Sequence, residues 1–193
     1  MKSNIAILGS TGSIGRSLLK IISKDRKKYK ILLLTATTNY KLILEQAKKF
    51  NVKNVIITNK KYYELARSRN NRKNLNILNN FQRLDKIFRT KIDYVMNSIV
   101  GLDGLVPTFK IIKHTNKIAI ANKETIICAW NLIKKELNKN NTEFIPVDSE
   151  HFSIWYALKN SSKDNIDKLY LTASGGPLLK LPIRKFRSLK ISK

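Results

Sequence analysis

The chain opens on an apolar run, Asn4–Leu8, that stops at Gly9 and continues through Ser-Thr-Gly-Ser-Ile to Gly15. A strand that ends in a glycine-rich turn and resumes as a helix is the first arm of a βαβ unit. Gly9 permits the tight turn, Gly12 lets the backbone approach a ligand, and Gly15 allows close helix–strand packing. Ser13–Lys24 then shows helical apolar spacing at Ile14, Leu18, Leu19, Ile21 and Ile22. A parallel sheet must follow, and the chain keeps the rhythm. Ile31–Thr35, Asn54–Thr58, Asp93–Val100, Lys117–Ala121 and Glu143–Val147 read as strands. Tyr40–Phe50, residues 60–69, residues 102–113 and Lys123–Asn138 read as helices, and residues 70–80 as a connection around the short run Leu75–Leu78. Short apolar strands separated by helices imply an α/β, doubly wound parallel sheet of Rossmann-like type. After Val147 the rhythm changes to a helix at His151–Leu158, a polar loop at Lys159–Asp167, a strand ending in Ser-Gly-Gly-Pro and a final helical segment.

The turn points to a dinucleotide. The amino end of the first helix offers free N–H groups and a favourable dipole to a pyrophosphate. Ser10, Thr11 and Ser13 add hydroxyl donors. In NAD-binding domains an acidic residue at the end of the second strand holds the ribose 2′-hydroxyl. Here that strand runs into Thr37, Thr38 and Asn39 with no Asp or Glu, and Lys41 lies nearby. A 2′-phosphate is tolerated there, so the cofactor expected is NADPH.

Two further strand ends carry chemistry. Asn122, Lys123 and Glu124 follow Lys117–Ala121; Asp148, Ser149 and Glu150 follow Glu143–Val147. Ligands of an open parallel sheet sit at the carboxyl ends of its strands. The chain has only 13 acidic residues, so three on two such ends stand out. Asp148 and Glu150 suit a hard divalent cation, Mg²⁺ or Mn²⁺, with waters, substrate and a further ligand completing the octahedron. Lys123 can anchor a substrate oxygen or phosphate. The competing structural reading is a helix start capped by Ser149 with Glu150 in its first turn. His151 reads as a packed or capping residue.

The Gly9–Gly15 turn, Ile99–Thr108 (IVGLDGLVPT), Ala121–Thr125 (ANKET), Pro146–His151 (PVDSEH) and Leu171–Pro177 (LTASGGP) together resemble the 1-deoxy-D-xylulose 5-phosphate reductoisomerase family. The resemblance implies an NADPH- and metal-dependent conversion of 1-deoxy-D-xylulose 5-phosphate to 2-C-methyl-D-erythritol 4-phosphate by a homodimer. It implies that Thr11, Gly12, Ser13 and Ile14 contact the NADPH pyrophosphate region, and that Thr37, Thr38 and Asn39 lie by the 2′-phosphate. Asn122 and Glu124 also touch cofactor; Lys123, Ser149 and Ser174 hold the sugar phosphate; Asp148 and Glu150 bind metal, with Lys123 beside them in the catalytic group. Residues 1–150 then form the NADPH-binding domain, and 151–193 begin an α+β catalytic domain that lacks a further metal carboxylate and phosphate-binding residues. On that reading the chain as it stands is inactive. Thr37-Thr38 replaces a Gly-Lys pair common in the family, and Ala173 a glycine.

Composition narrows the alternatives. The net charge of +25 invites a nucleic-acid reading. However, the cations are 29 Lys against 9 Arg and spread along the chain, and Lys, Asn and Ile supply 74 of 193 residues. Those residues have AT-rich codons, so base composition accounts for the charge and nucleic acid is not the expected partner. No apolar run nears the roughly 18 residues of a membrane span, and the Ile5–Leu8 run is too short for a signal-peptide core, so a cytoplasmic protein without a membrane partner is expected. The single cysteine, Cys128, sits in an apolar helical stretch and reads as a buried thiol. A semialdehyde-type NADP dehydrogenase needs a nucleophilic cysteine and is the alternative enzyme; a cofactor-binding remnant is the alternative without catalysis.

Overall fold

Alternate residues of the first strand enter two different cores. Ile5 and Ile7 pack on one side and Ala6 and Leu8 on the other, the period of two that a strand covered on both faces requires. The computed structural model describes residues 2–159, 166–170 and 180–188. Two units are distinguished, Met1–Asp148 and Ser149–Lys193.

In the first unit the order is β1 (Ser3–Leu8), α1 (Ser13–Lys24), β2 (Tyr29–Ala36), α2 (Tyr40–Lys49), β3 (Asn54–Ile57), α3 (Lys60–Arg69), β4 (Asn76–Leu78), α4 (Leu84–Ile87), β5 (Tyr94–Asn97), α5 (Leu105–Ile112), β6 (Lys117–Ile120), α6 (Lys123–Lys139) and β7 (Glu143–Pro146). The strands form one sheet in the order β4-β3-β2-β1-β5-β6-β7, and every pairing is parallel. Leu19, Ile22, Ile43, Ala47 and Ala66 from α1, α2 and α3 cover one face. Leu84, Ile111, Ile112, Ile133 and Leu137 from α4, α5 and α6 cover the other. This is the doubly wound α/β architecture that the strand–helix alternation predicts. Each fully buried Ile or Leu stabilises it by about 1.5–3 kcal/mol relative to exposure.

The departures are local. Leu75–Leu78, read as part of a connection, contains a three-residue edge strand, β4, paired with β3; so short a run has no periodicity to detect. The helix expected over 102–113 starts as a 3-10 turn, Gly101–Gly104, before α5. The four-residue α4 falls in a stretch to which the sequence reading assigned no element. Cys128 is exposed, not buried. The inward stripe of α6 runs Thr125, Ala129, Ile133, Leu137, four residues apart, and Cys128 falls beside it on the outer face. In the second unit, α7 spans Ser149–Leu158, two residues longer at its start than expected, and a 3-10 turn covers Ile183–Ser188. The expected strand end at Ser174-Gly-Gly-Pro lies outside the described residues. Among the described residues no helix is long and apolar enough to cross a membrane.

Candidate functional site

β1 pairs with β2 on one side and β5 on the other. Connections from these strands leave in opposite directions, which opens a crevice at their carboxyl ends. Gly9 fills the bottom of that crevice with φ +77°, and a Cβ on it would lie 2.8 Å from the Ser98 carbonyl oxygen. A Cβ on Gly15 would lie 2.5 Å from the Gly9 carbonyl oxygen. Both positions are closed to larger residues, as the tight-turn and close-packing assignments require.

Buried polar side chains hold the turn in place. The Gly9 N–H donates to Thr35 Oγ1 at 2.9 Å, and the Ser10 N–H donates to the Thr35 carbonyl at 2.9 Å. Ser10 Oγ donates to Gln46 Oε1 at 2.7 Å, and Gln46 Nε2 donates back to the Ser10 carbonyl at 3.0 Å. Ser98 Oγ donates to the Leu8 carbonyl at 2.7 Å. Ser10 is fully buried, so its hydroxyl belongs to this clamp and is not a ligand donor, against the sequence expectation.

Beyond the clamp the turn opens outward. Gly12 is the N-cap of α1 and has no side chain to occupy the helix's amino end, whose first turn has no acidic residue. A Cβ on Gly12 would meet only the Gly9 carbonyl oxygen, at 3.4 Å. The unpaired N–H groups of the first helical turn are the natural partners of an anion. A cleft of about 550 Å³ lies here, lined by Thr11, Gly12, Thr37, Thr38, Ser98 and Val100 among others. Ser13 and Ile14 begin α1 and are exposed. Thr37 and Thr38 are exposed, and Asn39 caps α2 by accepting the Leu42 N–H at 3.2 Å. A second cavity, of about 460 Å³, lies at the amino ends of β2 and β3, away from the glycine turn.

The loop after β5 is fixed from two sides. Asn97 Nδ2 donates to Thr108 Oγ1 at 2.6 Å, and Thr108 Oγ1 donates to the Gly104 carbonyl at 2.7 Å. Asn122, buried at the N-cap of α6, accepts the Thr125 N–H at 2.9 Å and donates to the carbonyls of Ile99 and Gly101. Its side chain is therefore committed to structure. Lys123 and Glu124 are the exposed first residues of α6. Asp148 is half-buried at the end of the first unit; Ser149 and Glu150 are exposed at the start of α7, where Ser149 Oγ donates to Glu150 Oε2 at 2.9 Å. Ser149 is thus a helical residue and not the cap. Among the described residues no three His, Cys, Asp or Glu side chains converge on one point.

Residues 5–130 match the family of 1-deoxy-D-xylulose 5-phosphate reductoisomerase, and residues 144–193 match its C-terminal domain. The chain belongs to the 1-deoxy-D-xylulose 5-phosphate reductoisomerase family. It is 56% identical over 189 residues to the reductoisomerase of Pelagibacter ubique, covering 97% of this chain and 49% of that protein. It is 40% identical over 174 residues to that of Thermodesulfovibrio yellowstonii, covering 90% and 45%. A crystal structure of DOX-P reductoisomerase with magnesium superposes with a TM-score of 0.78 at 30% identity, over 99% of this chain and 51% of that one. The Zymomonas mobilis enzyme in complex with NADPH gives 0.72 at 30%, over 78% and 40%. The chain spans about half the length of the curated relatives it matches. Membership of the reductoisomerase family disfavours the cysteine-dependent dehydrogenase.

In this member of the family, the first unit gathers the glycine turn, Thr37–Thr38 and the Ser98–Val100 loop around one cleft. The residues that sequence reasoning missed are the polar groups beneath it: Thr35, Gln46, Asn97, Ser98 and Thr108. One signal was available. Gln46 stands at a position where the helical spacing of Tyr40, Ile43 and Ala47 calls for an apolar side chain. A buried polar residue in such a stripe needs a partner.

Proposed function

We propose that this chain supplies the NADPH-binding part and the first metal carboxylates of a reductoisomerase that converts 1-deoxy-D-xylulose 5-phosphate to 2-C-methyl-D-erythritol 4-phosphate. The observation that carries the reading is the clamped glycine turn, which leaves the amino end of α1 open to the cleft. Solved relatives hold NADPH, or NADPH with fosmidomycin and magnesium, and the cleft fits such a cofactor. Thr11, Gly12, Ser13 and Ile14 bind its pyrophosphate. Thr37, Thr38 and Asn39 receive the 2′-phosphate, with no carboxylate at the end of β2 to repel it. Glu124 lies along the cofactor, and Asn122, whose amide is already paired, meets it through its main chain. Lys123, Ser149 and Ser174 hold the sugar phosphate; Ser174 lies outside the described residues. Asp148 and Glu150 hold Mg²⁺ or Mn²⁺ through carboxylate oxygens.

When bound, NADPH supplies the hydride, and the divalent ion supplies Lewis acidity toward the substrate's ketone and hydroxyl oxygens. The chain's own part is orientation. It fixes the cofactor by its phosphates and leaves Lys123, one strand end away, to place a substrate anion. We further assign the protein to the cytoplasm and, as the family resemblance implies, to a homodimer.

A thermal melt tests the reading. NADPH at 100 times its dissociation constant adds about 2.7 kcal/mol, and at about 2–4 °C per kcal/mol this raises the melting point by roughly 5–10 °C. NADH is expected to give a smaller rise. Asp148→Asn is expected to weaken Mn²⁺ binding, followed by electron paramagnetic resonance, while the NADPH shift persists. No shift with saturating NADPH would reject the cofactor assignment.

A further inference from the structure

AT-rich codons account for the lysines and asparagines but not for where the arginines fall. Five of the nine arginines lie between Arg67 and Arg89. Three of those five, Arg67, Arg72 and Arg83, line one cavity of about 560 Å³ against β4, together with Lys73, Asn71 and Asn76. β4 is the edge strand at the far end of the sheet from β7, so this cavity is separate from the cofactor cleft between β2 and β5.

The cavity is electrostatically unbalanced. Among the described residues no acidic one lines it. Among the described residues the ion pairs use Lys28, Lys113 and Lys117, and none uses these four cations. The nearest acids in sequence are Glu64 on α3 and Asp85, and Asp85 is already paired with Lys113. Arg72 is half-buried, and its Nη2 makes one long bond, 3.4 Å, to the Val52 carbonyl. Its Nη1 is out of solvent with no acceptor. A guanidinium nitrogen buried without an acceptor is costly and asks for a partner. Arg67 leans over the Tyr63 ring, its carbon 5.7 Å from the centroid, which limits the positions its charge can take. Three guanidinium forks, one ammonium and three amides lining one concavity match the oxygens of adjacent phosphates in number.

We propose that this cavity is a second ligand site, distinct from the cofactor cleft, that binds a small diphosphate-bearing anion. A small ligand is favoured over a nucleic-acid strand because the cations line one concavity of about 560 Å³, a volume that suits a small anion. Arg72 Nη1, closed off from solvent as it stands, gains an acceptor only if the guanidinium turns toward the cavity as the anion enters.

The test is calorimetric titration of the 193-residue chain with inorganic pyrophosphate at low ionic strength. Arg67→Gln and Arg83→Gln change exposed residues and leave the core untouched, so folding is not in question for them. Each is expected to lower affinity at least fivefold, and the pair more than twentyfold. Arg72→Lys keeps the charge but loses the fork, and is also expected to weaken binding. Lys134→Gln with Lys135→Gln, on the exposed face of α6, removes the same charge elsewhere and is expected to change affinity less than twofold. Equal losses from the two pairs would mean diffuse attraction to a basic protein and would overturn the site. So would loss of pyrophosphate binding in Gly12→Val alone, which would place the anion on the glycine turn. A single-stranded 12-mer RNA binding over a hundredfold more tightly, through the same arginines, would overturn the small-ligand assignment.

Discussion

Gly12 and Gly15 belong to one motif, yet substitutions at the two are expected to fail in different ways. In Gly15→Ala, helix propensity favours alanine by about 1 kcal/mol. Against this, the new Cβ would sit 2.5 Å from the Gly9 carbonyl oxygen and 2.6 Å from Ser10 Cα. Both are backbone atoms of a turn already fixed by Thr35 and Gln46, so neither yields as a flexible side chain would. Overpacking of this kind costs about 1–3 kcal/mol, and with rigid neighbours the upper part of that range applies. The net loss is about 1–2 kcal/mol, a fall in melting point of roughly 2–8 °C. Gly12→Val is different. Gly12 already has φ −74° and ψ 174°, which valine adopts freely, and a Cβ there meets one atom at ordinary contact distance. Loss of a favoured N-cap residue should cost only about 0.5–1 kcal/mol, while NADPH affinity falls at least tenfold because the branched side chain stands where the pyrophosphate must approach. Paired thermal melts and NADPH fluorescence titrations separate the outcomes. A higher melting point for Gly15→Ala, or unchanged NADPH affinity for Gly12→Val, refutes this account of the turn.

Three further outcomes are expected. Gln46→Leu leaves the buried Ser10 carbonyl without its side-chain donor, at a cost of about 1–3 kcal/mol, and should lower both the melting point and NADPH affinity; a silent variant would show that the Ser10–Gln46 pair does not position the turn. Gly104→Ala places a Cβ 2.5 Å from Asn122 Nδ2, so the double variant with Asn122→Ala should lose less stability than the sum of the two single changes; additive losses would deny the contact. Burial holds the His114 imidazole below its ordinary value of 6.5, with Asp85 opposing and Lys113 reinforcing. Below about that pH the unfolded chain takes a proton that the folded one resists, so stability falls with acidification. His114→Leu should flatten the melting-point difference between pH 7.5 and pH 5.5, and equal slopes would contradict the assignment.

What could be read from the sequence followed from repetition. Ile5–Leu8, Ile31–Thr35 and Lys117–Ala121 announce strands because a parallel strand buried on both faces must be apolar without a break. α1 was legible over its whole length, Ser13–Lys24, because five apolar residues recur at helical spacing after a glycine turn. β4 and α4 were not, since three or four residues carry no period. Cys128 shows the limit of composition as a guide to burial. Its neighbours are apolar, but Ile127 is exposed too, and only the register Thr125–Ala129–Ile133 decides what faces the sheet.

The cleft shows a different limit. Sequence reasoning reaches Gly9, Gly12 and Gly15 because glycine is what a close approach requires, and the requirement is local. It does not reach Thr35, Gln46 or Ser98, because their roles are defined by partners 25 or more residues away. Ser10 looked like a ligand donor for the same reason: a hydroxyl in a phosphate turn is the natural contact until Gln46, 36 residues on, claims it. The motif thus divides into an inner half that belongs to the fold and an outer half, Thr11 to Ile14, whose side chains the fold does not claim. That division follows from the exclusion of water. Inside the turn every donor must find a protein acceptor or destabilise the fold, so the groups left over for a cofactor are those that the sheet cannot reach.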